Sequence, residues 1–314
     1  MTPGKVRGLT TAANERGVFT IFAIDHRDAL RAILDPDAPA DVPASVMTAT
    51  KLDFVRRMAP AASAILLDPE YSAIEAVSSG ALDGRTALLC ALEAQGYLGH
   101  PQARTTTLLE GWGVEKAKRL GASGVKLLLL YRPDAAAADL QDALVRNMVA
   151  DCAAWDIPLF LEPVMYALPT DHADGPDRRR VVIESVRRLA ALGPDILKVQ
   201  FPTDTTIVDL PAWRDACAEL DEASPVPWTL LSGGDPFESF ATQVTVACEA
   251  GSSGFLVGRA LWAEAARLSG TERMDHIDAV VKPRFAELAA IASDLGTPWT
   301  DRVVPPAPPS YSAY

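Results

Sequence analysis

One lysine stands inside a run that otherwise reads as buried strand. Residues 193–202 (GPDILKVQFP) open on a turn, continue as an apolar segment and carry Lys198 near its end. A parallel strand covered on both faces is nearly continuous in apolar residues, so a lysine within it needs a reason. Either its ammonium escapes past the end of the strand as a structural charge, or it is a desolvated amine held for chemistry. Burial disfavours the charged form. A neutral amine attacks a ketone, loses water and leaves an iminium that draws electrons from a neighbouring carbon–carbon bond. Glu162 lies in a second apolar run, PLFLEP. Partial desolvation there suits a carboxyl to proton transfer near neutral pH, and the plainer alternative is a carboxylate paired with a lysine. Lys126 sits in a third, GVKLLLLY. It can act on Lys198 by like-charge repulsion, bind a substrate anion, or pair with Asp68 or Glu70.

Two glycine-bearing turns suit an anion. Ser232-Gly233-Gly234 and Gly258-Arg259 each close an apolar run. Glycine N–H groups, a helix N-terminus and the charge of Arg259 together can hold a phosphate. Asp25, His26, Arg27 and Asp28 cluster at the end of the first apolar run. Asp25 and Asp68 suit a divalent cation, substrate hydroxyls or nearby lysines, and the sequence does not decide among these. A neutral His26 can donate to substrate. His100, His172 and His276 are isolated, without the paired spacing of a zinc site, so no metal and no cofactor are expected.

The elements that must position these residues follow a regular alternation. Strand-like runs fall at residues 18–25 (VFTIFAID), 63–70 (SAILLDPE), 124–131, 158–166 (PLFLEPVMY), around Lys198, at 226–233 (VPWTLLSG) and at 254–259 (GFLVGR). A weaker run at 104–109 completes the set as the third strand. Helical periodicity falls at 48–58, in parts of 71–92, and at 114–120, 135–155, 178–192, 210–220, 236–250 and 260–268. Eight strands alternating with helices predict an α/β protein, a single (β/α)8 TIM barrel in preference to a doubly wound sheet. No Gly-x-Gly-x-x-Gly follows the first strand, which argues against a dinucleotide site. A barrel carries its active site at the C-terminal ends of its strands, often with a phosphate in the loops after strands seven and eight. Those ends bring Asp25, Arg27, Asp68, Glu70, Lys126, Glu162, Lys198, Ser232, Gly233, Gly258 and Arg259 to one mouth. Residues 1–296, ending in a helix at 281–295, are expected to form the barrel domain. Residues 297–314 are expected to be a Pro-rich tail, extended or disordered.

Composition narrows the partners. The 314-residue chain is 49% hydrophobic, enough for a large core, and carries a formal net charge of -12. That charge argues against nucleic acid and anionic membranes, but a few local cations can still hold a small anion. Cys90, Cys152, Cys217 and Cys248 are widely spaced, as buried thiols in a reducing compartment would be. With no signal core and no membrane-length apolar stretch, a soluble cytoplasmic protein is expected. A homo-oligomer is compatible with the composition, which reveals no interface.

Several of these blocks, in order, resemble one family. They are residues 22–30 (FAIDHRDAL), 65–71 (ILLDPEY), 125–127 (VKL) through Tyr131, 161–163 (LEP), 195–199 (DILKV), 231–233 (LSG) and 247–260 (ACEAGSSGFLVGRA). Over residues 18–265 the chain is similar to the class I tagatose 1,6-bisphosphate aldolases and the related sulfofructose-phosphate aldolases. The resemblance implies a (β/α)8 barrel that splits a ketose phosphate through a Schiff base into dihydroxyacetone phosphate and a three-carbon aldehyde. It matches Lys198 to the Schiff-base lysine and Glu162 to the general acid/base. Ser232, Gly233, Gly258 and Arg259 match the phosphate loops, while Asp25, Arg27 and Lys126 are expected to line the pocket. The implied partner is a sugar phosphate or sulfosugar phosphate. His26 stands where the family has glutamine, Gln200 where it has glutamate, and Ser-Gly-Gly replaces a Ser-Ala-Gly type of turn. These departures bear on the substrate more than on the reaction. The residues alone also admit a phosphate-binding isomerase or epimerase without a covalent step, and a non-catalytic sugar-phosphate sensor.

Overall fold

A computed structural model describes residues 1–171, 177–206, 208–303 and 310. Eight short strands run in sequence order: β1 (Phe19–Ala23), β2 (Ala64–Leu67), β3 (Ala87–Ala91), β4 (Gly124–Leu130), β5 (Leu159–Val164), β6 (Ile196–Val199), β7 (Trp228–Leu231) and β8 (Gly254–Val257). Each pairs in parallel with the next, and β8 closes on β1 with Thr20 opposite Phe255 and Ile21 opposite Leu256. The fold is the expected (β/α)8 barrel.

The period-2 alternation of a strand sorts the side chains into two cores. Phe19, Ile21, Ala64, Leu66, Ala87, Leu89, Phe160, Ile196 and Leu256 face the axis and fill the barrel, with Phe19 and Phe160 in edge contact at 5.5 Å. The intervening residues, such as Phe22, Ile65, Leu127, Leu161, Leu197 and Phe255, face outward and pack under the helices. These include Ala44–Met58, Ala138–Ala154, Arg178–Ala190, Leu210–Ala223 and Phe237–Ala250, near where the periodicity puts them. Among the described residues, no helix is long and apolar enough to cross a membrane.

Two expectations change. The third strand is residues 87–91, inside the stretch read as partly helical, and not 104–109. Alanine and leucine favour helices intrinsically, but here the alternating small residues Ala87 and Ala91 fit the crowded barrel interior, and packing overrides propensity. Residues 104–109 instead run back antiparallel against the segment after β3, with Leu98 opposite Thr105 and Glu93 opposite Leu108. The start of the segment expected as a tail from residue 297 also packs onto the barrel. Trp299, in a 3-10 turn over Trp299–Asp301, is 2% exposed and joins the interior core, because a large apolar ring gains more from that burial than from solvent. Residues 304–309 and 311–314 lie outside the described residues.

The N-terminal end of the barrel is closed by a helix that the sequence did not announce, Pro3–Ala12, through Leu9 and Ala12. Its Lys5 Nζ donates to Asp195 Oδ2 at 2.8 Å, and the same oxygen accepts from the Leu159 N–H at 2.9 Å. Asp195→Ala strands a buried ammonium and a strand N–H together. The expected cost is about 3–5 kcal/mol, read as a lower urea midpoint. A shift equivalent to under ~1 kcal/mol would show that this plug is not coupled to barrel stability.

Candidate active site

The register of the strands sets the site. Phe160 pairs with Ile196 and Leu161 with Leu197, which brings Glu162 beside Lys198 on the interior face. Leu128 pairs with Glu162, and Lys126 lies one interior position before it on β4. Glu162 Oε1 is 2.7 Å from Lys198 Nζ, and Glu162 Oε2 is 3.1 Å from Lys126 Nζ. Lys126 also donates to Asp25 Oδ2 and to Glu93 Oε1, both at 2.7 Å. Glu93 Oε2 accepts from the Leu128 N–H at 3.0 Å, which fixes that carboxylate against β4. All five residues are at most 7% exposed.

Electrostatics in this cluster are dominated by proximity. Burial works against the Lys126 charge, but Asp25, Glu162 and Glu93 outweigh it and hold the ammonium well above the usual lysine range. Asp25 shows the reverse balance. Burial pushes its carboxyl up, yet Lys126, His26 and Lys198 together hold it well below the usual carboxylate range. His26 is pushed down to about 3 by burial, helped by the cations of Lys198, Arg259 and Lys126, against the partial opposition of Asp25. Its imidazole is neutral at physiological pH.

The alternative that Lys126 pairs with Asp68 or Glu70 is not what is found. Asp68 is taken by the fully buried Lys51, by Ser72 Oγ at 2.7 Å and by the Tyr71 N–H at 2.8 Å. Glu70 Oε2 receives Arg27 Nη1 at 2.5 Å, while Arg27 Nη2 donates to the Glu93 carbonyl at 2.7 Å. Asp68 and Glu70 therefore support the wall, and three nearer carboxylates surround Lys126.

On the opposite side, Ser232 Oγ accepts from the Gly258 N–H at 3.2 Å, which ties the loops after β7 and β8 together. Arg259 Nη2 donates to the Gly233 carbonyl at 2.7 Å, and the guanidinium lies flat against Gly234. A Cβ at Gly234, where φ is +100°, would sit 3.2 Å from the Arg259 Cζ. At Gly258 a Cβ would meet His26 Cε1 at 2.8 Å, so glycine is required there by close approach. The helix Arg259–Ala266 starts at this point, and its first N–H groups have no partner within the helix.

These groups bound two lobes of one mouth, which share His26, Ala29, Leu128, Glu162 and Lys198. One lobe, about 220 Å³, is walled by Asp25, Arg27, Glu93, Gln95 and Lys126. The other, about 250 Å³, is walled by Gln200, Ser232, Gly233, Gly258 and Arg259. Two larger open hollows, about 530 and 570 Å³, lie elsewhere, beside Arg56 and Arg85 and beside Asn14 and Trp299. The geometry thus joins Lys198, Glu162, Lys126, Asp25, Arg27, Ser232, Gly233, Gly258 and Arg259 in one cavity. Glu93 is the member that sequence reading missed. Its signal was ALLCALE, an apolar run ending in an acid like the other strand ends, hidden by its helix-favouring composition. Gln200 Oε1 accepts from the Met165 N–H at 2.8 Å, and His172 lies outside the described residues.

Residues 19–264 match the model of the DeoC/LacD family aldolases. The tagatose 1,6-diphosphate aldolase of Streptococcus agalactiae serotype V is 30% identical over 283 residues, covering 84% of this chain and 86% of that one. That of Listeria monocytogenes serotype 4b is 29% identical over 326 residues, covering 95% and 94%. An archaeal fructose 1,6-bisphosphate aldolase structure superposes with a TM-score of 0.62 at 20% identity, covering 91% of this chain and 98% of that one, a likeness of fold.

The depressed imidazole can be checked directly. The His26 ring resonances, assigned by loss in His26→Gln, are expected to show no titration between pH 5 and 8. An inflection near the ordinary histidine value would mean that the surrounding cations and burial do not act on it.

Proposed function

The chain belongs to the DeoC/LacD family of aldolases, carbon–carbon lyases, and on that footing we propose that it cleaves a ketose phosphate through a Schiff base on Lys198. The products are dihydroxyacetone phosphate and a three-carbon aldehyde. The substrate is of the tagatose 1,6-bisphosphate or 6-sulfofructose 1-phosphate type, two ketoses that share the dihydroxyacetone-phosphate half. The observation that carries the reading is the buried Lys198–Glu162 pair at 2.7 Å, open to a cavity on both sides.

In the proposed mechanism Lys198 and Glu162 act in turn. Lys198 passes a proton to Glu162 Oε1, and the freed amine adds to the C2 carbonyl, forming the C–N bond as the carbonyl opens to a hydroxyl. Glu162 returns the proton to that hydroxyl, which leaves as water and gives the iminium. Glu162, again a carboxylate, takes the C4 hydroxyl proton as the C3–C4 bond breaks. The bonding pair flows into the iminium as an enamine, and the aldehyde departs. Protonation of the enamine at C3 and hydrolysis of the iminium release dihydroxyacetone phosphate. Meanwhile Arg259, the Ser232-Gly233-Gly234 turn and the first N–H groups of the helix Arg259–Ala266 hold the phosphate. Lys126 keeps Glu162 Oε2 in position, so that Oε1 faces Lys198. The cytoplasm is the setting we assign, in keeping with four buried free thiols.

Borohydride reduction in the presence of dihydroxyacetone phosphate, followed by peptide mapping, is expected to leave a reduced adduct on Lys198 and none in Lys198→Ala. Protein that binds the ligand yet gives no adduct would overturn the covalent step. Glu162→Gln keeps the shape but removes the proton carrier, and it is expected to lower kcat by about 10²–10⁴. A change in KM alone would reassign Glu162 to binding.

A further inference from the structure

His26 belongs to both lobes, and its two ring nitrogens stand in different surroundings. Nδ1 is buried, has no hydrogen-bond partner and lies 3.6 Å from Asp25 Oδ1. That oxygen is also buried without a hydrogen-bond partner, while Lys126 takes Oδ2 of the same carboxylate. Each is thus the other's available partner, a little beyond hydrogen-bond length. The ring is held on two further sides. A Cβ at Gly258 would meet Cε1 at 2.8 Å, and Trp262 packs edge to face with the imidazole at 5.2 Å between centroids. Trp262 is itself fixed by its Nε1–H, which donates to the Ala23 carbonyl at 3.0 Å. The His26 side chain is still 26% exposed. With Nδ1 buried and Cε1 against Gly258, the edge left for the mouth is the one that carries Nε2.

A neutral imidazole carries its proton on one nitrogen only. Burial opposes the Asp25 charge, but Lys126 and the other nearby cations outweigh it, so Asp25 is a carboxylate, which only accepts. A lone pair on Nδ1 would oppose two acceptors in a dry pocket and leave both unsatisfied. A proton on Nδ1 answers both at once. The partner of one ring nitrogen decides the state of the other, so Nε2 keeps its lone pair. The mouth meets an acceptor at His26, not the donor that a neutral histidine equally allows.

We propose that Asp25 holds His26 in the Nδ1–H tautomer, and that His26 Nε2 accepts from the C3 hydroxyl of the ketose, the hydroxyl that dihydroxyacetone phosphate retains. The inference rests on the ketose-phosphate reading above and adds a substrate contact to it. Three polar side chains belong to both lobes: Lys198, Glu162 and His26. Lys198 meets C2 and Glu162 the C4 hydroxyl, while the loops after β7 and β8 hold the phosphate on C1. The C3 hydroxyl is the donor that remains at the centre of the mouth, and His26 supplies the remaining acceptor. A glutamine at this position, held by the same carboxylate, would turn its Nε2 to Asp25 and its Oε1 to the mouth. The acceptor, more than the imidazole, is what the position provides.

Ligands without a carbonyl test the contact apart from the covalent step. Glycerol phosphate carries a hydroxyl where C3 would lie, and its analogue with fluorine in place of that hydroxyl is close in size but cannot donate. Both are titrated calorimetrically into the protein. The hydroxyl compound is expected to bind about three- to tenfold tighter, the worth of one hydrogen bond to an acceptor otherwise left unsatisfied. A preference under threefold overturns the contact. In His26→Phe the preference is expected to fall below half its original value, and in His26→Gln to stay above half. Retention in the phenylalanine variant, or loss in the glutamine variant, overturns the acceptor role given to this position. The tautomer is read independently from the ring nitrogen NMR shifts of protein carrying isotope-labelled histidine, with those of His26 assigned by their loss in His26→Gln. Nε2 is expected in the pyridine-like range and Nδ1 in the pyrrole-like range, and the reverse order or averaged shifts overturn the tautomer. In Asp25→Asn the amide oxygen stays on Lys126 and its NH2 faces Nδ1, which is expected to exchange the two shifts. Unchanged shifts in that variant overturn the positioning role of Asp25. Borohydride trapping of dihydroxyacetone phosphate reports separately on Lys198, so a failed Schiff base and a mistaken His26 contact give different results.

Discussion

The buried ammonium of Lys126 is the constraint on which the mouth depends. Its three carboxylate neighbours come from the ends of β1, β3 and β5, while Lys126 itself stands on β4. Each acid needs a counter-charge once it is removed from water; Lys126 is shared by all three, with Lys198 beside Glu162 and Arg27 3.9 Å from Glu93. Such a network adds little net stability compared with an apolar core, since desolvation offsets the attraction. What it provides is position. Glu93 is pinned by both oxygens, Asp25 and Glu162 by one each toward Lys126, so the second oxygens of Asp25 and Glu162 take fixed directions. Glu162 Oε1 is thereby aimed at Lys198, and Asp25 Oδ1 lies buried 3.6 Å from His26 Nδ1.

The strand period explains how much of this arrangement could be read in advance. Lys198, Glu162 and Lys126 interrupt long apolar runs, and an interruption at a strand end is visible without any structure. The turns after β7 and β8 were equally legible, because glycines close both apolar runs and Gly258 directly precedes Arg259. Glu93 was not legible. It ends a run of alanines and leucines that reads as helix, and only the narrow barrel interior makes alanine the better fit at 87 and 91. The same misreading moved the third strand to residues 104–109, whose β-favouring threonines serve instead in the antiparallel pairing above the mouth. The plug formed by Pro3–Ala12 and Trp299 was hidden for another reason: which end of a barrel a terminal segment closes is a matter of long-range contact, with no local pattern to announce it.

Two buried lysines share one glutamate, and the asymmetry between them divides their labour. Lys126 is bound by three carboxylates, so removing its proton would leave several negative charges together in a dry site, which Coulomb repulsion opposes strongly. Lys198 has a single carboxylate within ion-pair distance. When it gives up its proton, Glu162 can receive it over 2.7 Å, and both charges vanish at once with no partner stranded. The permanent cation and the potential nucleophile are therefore distinguished by the number of acids around each, not by depth of burial, which is nearly the same at 2% and 4%. Glu162 is the hinge of that distinction, since its two oxygens face the two lysines. A proton moving between Lys198 and Oε1 alters the charge that Lys126 feels at Oε2, and Asp25 and Glu93 hold Lys126 in place through the change. The fixed cation thus keeps the shared carboxylate oriented whether or not it carries a proton, as the proton-carrying role proposed for Glu162 requires.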